Sequence, residues 1–171
     1  MLIALVGYMG SGKSTVGQAL AKDLGLPFLD FDSFIENRLG QSIPEIFAAR
    51  GELFFRRTEH ELLKELLAEG PQLVLALGGG TPCYAGNMDL LLQHTPHVVY
   101  LQLSVGALTR RLETGQAQRP LIAHISAEEL PEFIGKHLFE RAPFYAQAPI
   151  TIRVEGQGVA AVVAEIKNLL V

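Results

Sequence analysis

The sequence predicts an α/β domain in three layers, a parallel sheet with helices on both faces. Short, continuously apolar runs recur at 2–6, 73–77 and 98–103, the pattern of strands buried on both sides. Segments of helical spacing separate them, and this alternation builds parallel βαβ units. Glycine-rich turns follow the strands at 7–12 and at Gly78-Gly79-Gly80, where open α/β sheets bind their ligands. With 171 residues, 49% hydrophobic and 19% charged, one domain over 1–171 is expected, burying about two-thirds of its unfolded surface.

Each element has its own signal. The strand at 2–6 runs into Gly7-Tyr8-Met9-Gly10-Ser11-Gly12-Lys13-Ser14, a complete G-x-x-x-x-G-K-[ST] pattern. Its glycines let backbone N–H groups close around phosphate oxygens. Lys13 brings a mobile charge to the terminal phosphates, the Ser14 hydroxyl can ligate Mg²⁺, and the helix expected over 15–22 adds its positive end to the anion site. Strand, glycine loop, helix is the context this motif requires, so a nucleoside triphosphate is the expected ligand.

Next come a short strand at 27–30 and a helix over 33–39 that stops at Gly40. Ser42 and Glu45 have capping-box spacing, with Pro44 at a tolerated early position, and open a helix through Arg50. A second helix covers 53–69, ending at Gly70-Pro71. The strand at 73–77, a helix over 85–94, the strand at 98–103 and a helix over 105–112 follow. A polar, turn-rich stretch at 114–124 is poor in apolar anchors. Ser126 and Glu129 repeat the capping-box spacing and should start a helix to Ala146; a strand at 150–154 and a helix over 159–170 close the chain.

Composition excludes several classes. Lys and Arg number 14 against 18 Asp and Glu, a net charge of −4, so there is no basic footprint for nucleic acid or an anionic membrane. Phosphate binding must then rest on a few placed cations. Cys83, the single cysteine, excludes an internal disulfide and a cysteine zinc site, and reads as a small loop residue. The first apolar run is too short for a signal or a span; a cytoplasmic protein is expected. His94 and His97 straddle a helix end, and His60, His124 and His137 read as solvent-facing or local.

Asp30 and Asp32 lie two apart and point the same way if the chain is extended. One of them can hold Mg²⁺, directly or through water, and the other can accept a hydrogen bond or a proton from an attacking hydroxyl. Arg56 and Arg57 project about 100° apart on a helix. One can enter the crevice while the other stays in water or pairs with an acid. A guanidinium grips a carboxylate with two hydrogen bonds, and Arg141 is a second such candidate. Two arginines and a carboxylate describe a small polyhydroxy acid as acceptor.

Taken in order, the phosphate loop, Leu29-Asp30-Phe31-Asp32, Ile46-Phe47, Gly51-Glu52 with Phe55-Arg56-Arg57, Gly78-Gly79-Gly80, Arg119-Pro120-Leu121 and Arg141-Ala142-Pro143-Phe144-Tyr145 resemble the shikimate kinases over nearly the whole chain. The resemblance implies the P-loop kinase fold: five parallel strands in order 2-3-1-4-5, a substrate-binding helical region at about 32–60 and a mobile lid at about 112–125. It implies ATP phosphates on Gly10, Ser11, Gly12, Lys13, Ser14 and Thr15, and Mg²⁺ on Ser14 with Asp30 reaching the ion through water. Shikimate would lie on Asp32, Arg56, Arg141 and the backbone of Gly78, Gly79 and Gly80, walled by Phe47 and Phe55. Arg119 would close over the phosphates, and Arg110 or Arg111 would lie near the adenine, Arg111 being counted with the nucleotide site. Lys13, Asp32 and Arg119 would be the catalytic set of a monomer.

Two positions depart from the family pattern. Ala76 stands where Ser or Thr is common, which removes a polar contact near the metal waters, and Pro149 stands where Ala is usual. The reaction implied is transfer of the ATP γ-phosphoryl group to the shikimate 3-hydroxyl. A kinase for another polyol acid such as gluconate would share the loop but has less use for Arg56, the glycine triplet and Arg141 together. A regulatory ATP-binding module is the reading outside enzymes.

Overall fold

The computed structural model describes residues 1–170, and its sheet follows from which strands tolerate burial on both faces. Strand β1 (Leu2–Val6) is buried along its whole length. Successive side chains point to opposite faces, so a run with no exposed residue needs helices on both sides. It takes the central place, paired in parallel with β3 (Leu73–Ala76) on one side and β4 (Val98–Gln102) on the other. The edges are β2 (Phe28–Asp30) and β5 (Ile150–Arg153), giving the order β2-β3-β1-β4-β5 with every pair parallel. Asp30 pairs with Ala76 across β2 and β3, which puts the second strand's acidic end beside the start of the glycine triplet.

The helices are α1 (Lys13–Leu24), α2 (Phe31–Leu39), α3 (Ile43–Ala68), α4 (Asn87–His94), α5 (Val105–Glu113), α6 (Leu130–Tyr145) and α7 (Val159–Leu169). α1 packs against β3 and α7, α3 against α2 and α4, and α5 against α6. Gly40 ends α2 in the left-handed conformation, and the Ser42–Glu45 capping box is complete, at 3.3 and 3.1 Å. Pro149 is accommodated just before the edge strand, which starts at Ile150 opposite Val99.

Several boundaries differ from expectation by a few residues, three of them for a plain local reason. α2 begins at Phe31, because the Asp30 carboxylate accepts the Ser33 N–H at 3.0 Å and caps it. The two helices expected on either side of 51–52 are both present and meet at a kink at Gly51, whose φ of 83° and ψ of 170° lie outside helical space; α3 names the pair. α4 starts at Asn87 rather than 85, since Ala85 and Gly86 take φ of 53° and 69°. α6 starts at Leu130 and not at 126–127. A helix from Ala127 would drive the Pro131 ring into that residue's carbonyl, whereas the observed start puts proline in the first turn. The Ser126 hydroxyl still accepts the Glu129 N–H at 3.3 Å, but within a turn.

Gly51 sets the direction of α3 relative to its own first two turns. A Cβ there would meet nothing within 4 Å, so the cost of a substitution is confined to the backbone. Gly51→Ala is expected to lower unfolding free energy by about 1–3 kcal/mol in urea titration with an unchanged m-value. An unchanged midpoint would show that the break is not held by glycine's freedom.

Candidate active site

The phosphate loop leaves β1 and returns into α1 with Lys13 as the first helical residue. The Lys13 ammonium folds back on the loop, donating to the carbonyls of Gly7 at 2.7 Å and Tyr8 at 3.0 Å. Burial, opposed in part by Asp32, lowers the Lys13 ammonium to about 8. On α5, Arg111 reaches the loop, its Nη1 donating to the Gly10 carbonyl at 3.2 Å. Arg110 lies instead beside Gly106. Of the two arginines left open by the sequence, Arg111 is the one at the loop.

The acidic pair is arranged differently from an extended chain. β2 ends at Asp30 and α2 has already begun at Phe31, so Asp32 sits in the first helical turn. Asp30 serves two groups: one oxygen caps α2, and the other accepts the Ser14 hydroxyl at 2.9 Å. Asp32 is largely buried. Burial first, then the charges of Asp30 and Glu59, push its carboxyl up to about 6, against the pull of Lys13.

Ser14 and Asp30 carry donors suited to a metal ion. Both offer hard oxygens, they are in mutual contact, and the pair is exposed, which suits Mg²⁺ completed by phosphate oxygens and water. Among the described residues no group of three or more His, Cys, Asp or Glu is placed to hold an ion by itself.

The acceptor side is organised around missing Cβ atoms. A Cβ on Gly78 would stand 2.6 Å from Asp32 Oδ1, and one on Gly80 would stand 2.7 and 2.9 Å from the two Nη atoms of Arg56. One on Gly79 would stand 3.3 Å from Arg141 Nη1 and from the Met9 backbone nitrogen. Asp32, Arg56 and Arg141 therefore meet over the triplet, with the phosphate loop touching its middle residue. Phe47 and Phe55 pack together nearby, ring centroids 4.8 Å apart. Arg57 is exposed; Arg56 is the member of the pair that turns inward. Ala76 is 2% exposed and lies between Leu5 and Asp30 in the sheet.

Behind this surface lies a polar network that sequence reasoning missed. Arg56 Nη1 donates to Glu59 at 3.0 Å, and the other Glu59 oxygen accepts the Thr81 hydroxyl at 2.7 Å. Asn87 Nδ2 donates to the Thr81 carbonyl, and Asn87 Oδ1 meets His60 Nδ1 at 2.7 Å. The Tyr84 ring covers the Arg56 guanidinium at 3.9 Å. Tyr145 donates to the Gly79 carbonyl at 2.5 Å. Two of these had a signal, since Glu59 is three residues after Arg56 and Tyr145 four after Arg141, on shared helix faces. Nothing in the sequence marks Thr81 or Asn87. His60 is half-buried in this network and His137 is half-buried against Tyr8 at 2.9 Å, so neither is solvent-facing.

Arg119 is exposed on the segment between α5 and α6, just after a short 3₁₀ turn, Gln116–Gln118. This segment has an apolar anchor after all: Ile122 is fully buried, and Gln116 Nε2 donates to the carbonyls of Ile122 and Ile125.

Comparison with known proteins adds to this geometry. The family model described as shikimate kinase matches residues 9–171. A shikimate kinase from Flavobacterium johnsoniae is 47% identical over 169 residues, covering 98% of both chains. Among solved structures, shikimate kinase from Bacteroides thetaiotaomicron superposes with a TM-score of 0.90 at 36% identity, covering 99% of this chain and 98% of that one. Shikimate kinase from Acinetobacter baumannii, solved in complex with shikimate, has a TM-score of 0.87 at 38% identity, covering 99% of this chain and 92% of that one.

The Glu59 carboxylate is buried, so each of its oxygens needs a donor. Thr81→Val keeps the shape and removes one. The expected cost is about 1.5–3 kcal/mol, the range for hydrogen bonds to charged groups, read from urea denaturation. Wild-type stability in Thr81→Val would show that water or another group replaces the hydroxyl.

Proposed function

The chain belongs to the shikimate kinase family and phosphorylates shikimate with ATP, and we propose that its own residues divide that reaction as follows. The observation that carries the reading is the meeting of one carboxylate and two guanidinium groups over Gly78–Gly80, against the phosphate loop. Arg56 and Arg141 hold the shikimate carboxylate, and Asp32 holds its ring hydroxyls. Gly78, Gly79 and Gly80 lend backbone groups, and Phe47 and Phe55 wall the ring. The segment at about 32–60 is the acceptor side and that at about 112–125 the lid.

Phosphoryl transfer asks the protein for positioning and charge stabilisation more than for covalent chemistry. Gly10, Ser11, Gly12, Ser14 and Thr15 seat the ATP phosphates, and Arg111 lies at the edge of the nucleotide. Lys13 leaves the carbonyls of Gly7 and Tyr8 for the terminal phosphates, so the loop keeps it in reach before nucleotide arrives. Asp32 orients the 3-hydroxyl and receives its proton as the bond to phosphorus forms. Its raised basicity suits it to the task better than an ordinary exposed aspartate. Arg119 closes over the transferring group and helps exclude water. Mg²⁺, held by Ser14 and by Asp30 through water, would supply charge neutralisation at the phosphates.

All these groups come from one chain, so a monomer suffices. No described helix is long and apolar enough to cross a membrane. We read the protein as a cytoplasmic monomer whose ligands are ATP and shikimate.

A coupled assay offering shikimate and gluconate in parallel tests the acceptor. Turnover of shikimate is expected, and turnover of gluconate alone would overturn the assignment. An ATP-binding module without catalysis would turn over neither. Asp32→Asn is expected to lower kcat by about 100-fold or more with an unchanged melting temperature, and Lys13→Met to abolish turnover; retention of activity in both would refute the roles.

The free enzyme should show a bell-shaped pH profile of kcat/KM. Activity falls below about 6 as Asp32 takes a proton, and above about 8 as Lys13 loses one. A profile flat from pH 5 to 9 would contradict both assignments.

A further inference from the structure

Helix α6 touches three parts of the site with side chains four residues apart. His137, Arg141 and Tyr145 share one helix face. Tyr145 donates to the carbonyl of Gly79, and Arg141 lies over Gly79 and Gly80. His137, at the upstream end, reaches the phosphate loop itself. Its Nδ1 is 2.9 Å from the Tyr8 hydroxyl, and the two rings meet edge to face, 5.3 Å apart at 85°. Phe133, one turn earlier, packs on the imidazole at 5.4 Å.

Tyr8 is an unusual loop residue, only 1% exposed. A buried hydroxyl needs a partner, and His137 is the one it has. The backbone of the same residue accepts Lys13 Nζ at 3.0 Å and the Ser11 N–H at 3.1 Å. Tyr8 thus holds the catalytic lysine with its main chain, while its side chain is clasped by the helix that carries Arg141.

We propose that Tyr8 and His137 form a positioning couple that sets the phosphate loop against α6, keeping the donor phosphate in line with an acceptor held by Arg141. This rests on the kinase reading above. The couple touches neither substrate. It acts through the loop that seats one and the helix that grips the other. The charged group facing the imidazole is Arg141 of the same helix; Tyr8 and Phe133 supply its other neighbours. Burial, then Arg141, hold the imidazole down to about 4, so the pair is uncharged and adds no cation to compete with Arg141 for a carboxylate.

The test is a double-mutant cycle of Tyr8→Phe, His137→Phe and the double variant, with kcat and both KM values measured beside the wild type. Tyr8→Phe removes one oxygen and keeps the buried ring. Each single change is expected to lower kcat roughly tenfold, with KM for shikimate and for ATP within about twofold of wild type. The double variant should be no slower than the slower single, because both changes break one contact. Wild-type kcat in the single variants, a loss confined to KM, or losses that multiply in the double variant would overturn the couple. If His137→Phe does not fold, Tyr8→Phe decides by itself. Failure of the wild type to phosphorylate shikimate would refute the kinase reading instead, so the two failures are told apart.

Discussion

Three charged side chains close on the glycine triplet where Cβ atoms would otherwise stand, two of them nearer than any Cβ allows, and the rest of the site is arranged around that approach. The Asp32 carboxylate stands over Gly78, the Arg141 guanidinium over Gly79 and the Arg56 guanidinium over Gly80. They reach this spot from α2 and α3, neighbours in the chain, and from α6, much later in it. Close packing leaves no slack there. A single methyl group on the triplet would displace a carboxylate or a guanidinium rather than fill a void. The parallel sheet makes the convergence possible, because β1, β2 and β3 all end on the same edge and deliver the loop, Asp30 and the triplet together.

Burial then sets the chemistry of the charges so gathered. Withdrawal from water weakens the charged form of each group. It lowers the Lys13 ammonium and raises the Asp32 carboxyl, bringing both toward neutral pH from opposite sides. Their charges also act on each other, Asp32 opposing the fall of Lys13 and Lys13 the rise of Asp32. Asp30, half-buried, is hydrogen-bonded to Ser14 and also caps α2.

Holding two guanidinium groups side by side against repulsion needs compensation, and the structure supplies it from behind. Glu59, buried at 1% exposure, pairs with Arg56 and is in turn satisfied by Thr81. Asn87 and His60 extend the chain of bonds into α4 and α3. Tyr145 fixes the middle of the triplet from α6. The front of the site is thus charged, whereas its back is a hydrogen-bonded network running from Arg56 through Glu59 and Thr81 to Asn87 and His60.

Local chemistry was legible in the residues alone. The phosphate loop, the alternation of apolar strands with helices, the stops at Gly40 and the Ser42–Glu45 capping box all act over a few residues, and each appears where the sequence places it. Residue type and motif context made Asp30, Asp32, Arg56, Arg57 and Arg141 candidates, and the resemblance to the shikimate kinases chose among them. Where helices begin was harder to read: Ser126 offered a cap, and Pro131, a few residues on, overruled it by steric exclusion. What only the tertiary structure decided were pairings between distant segments. Arg111 rather than Arg110 meets the loop, Ile122 anchors the segment between α5 and α6, Thr81 and Asn87 complete Glu59, and His137 finds Tyr8 across 129 residues. Such contacts depend on where the sheet and helices put two backbones, and no period or spacing within either segment records its partner.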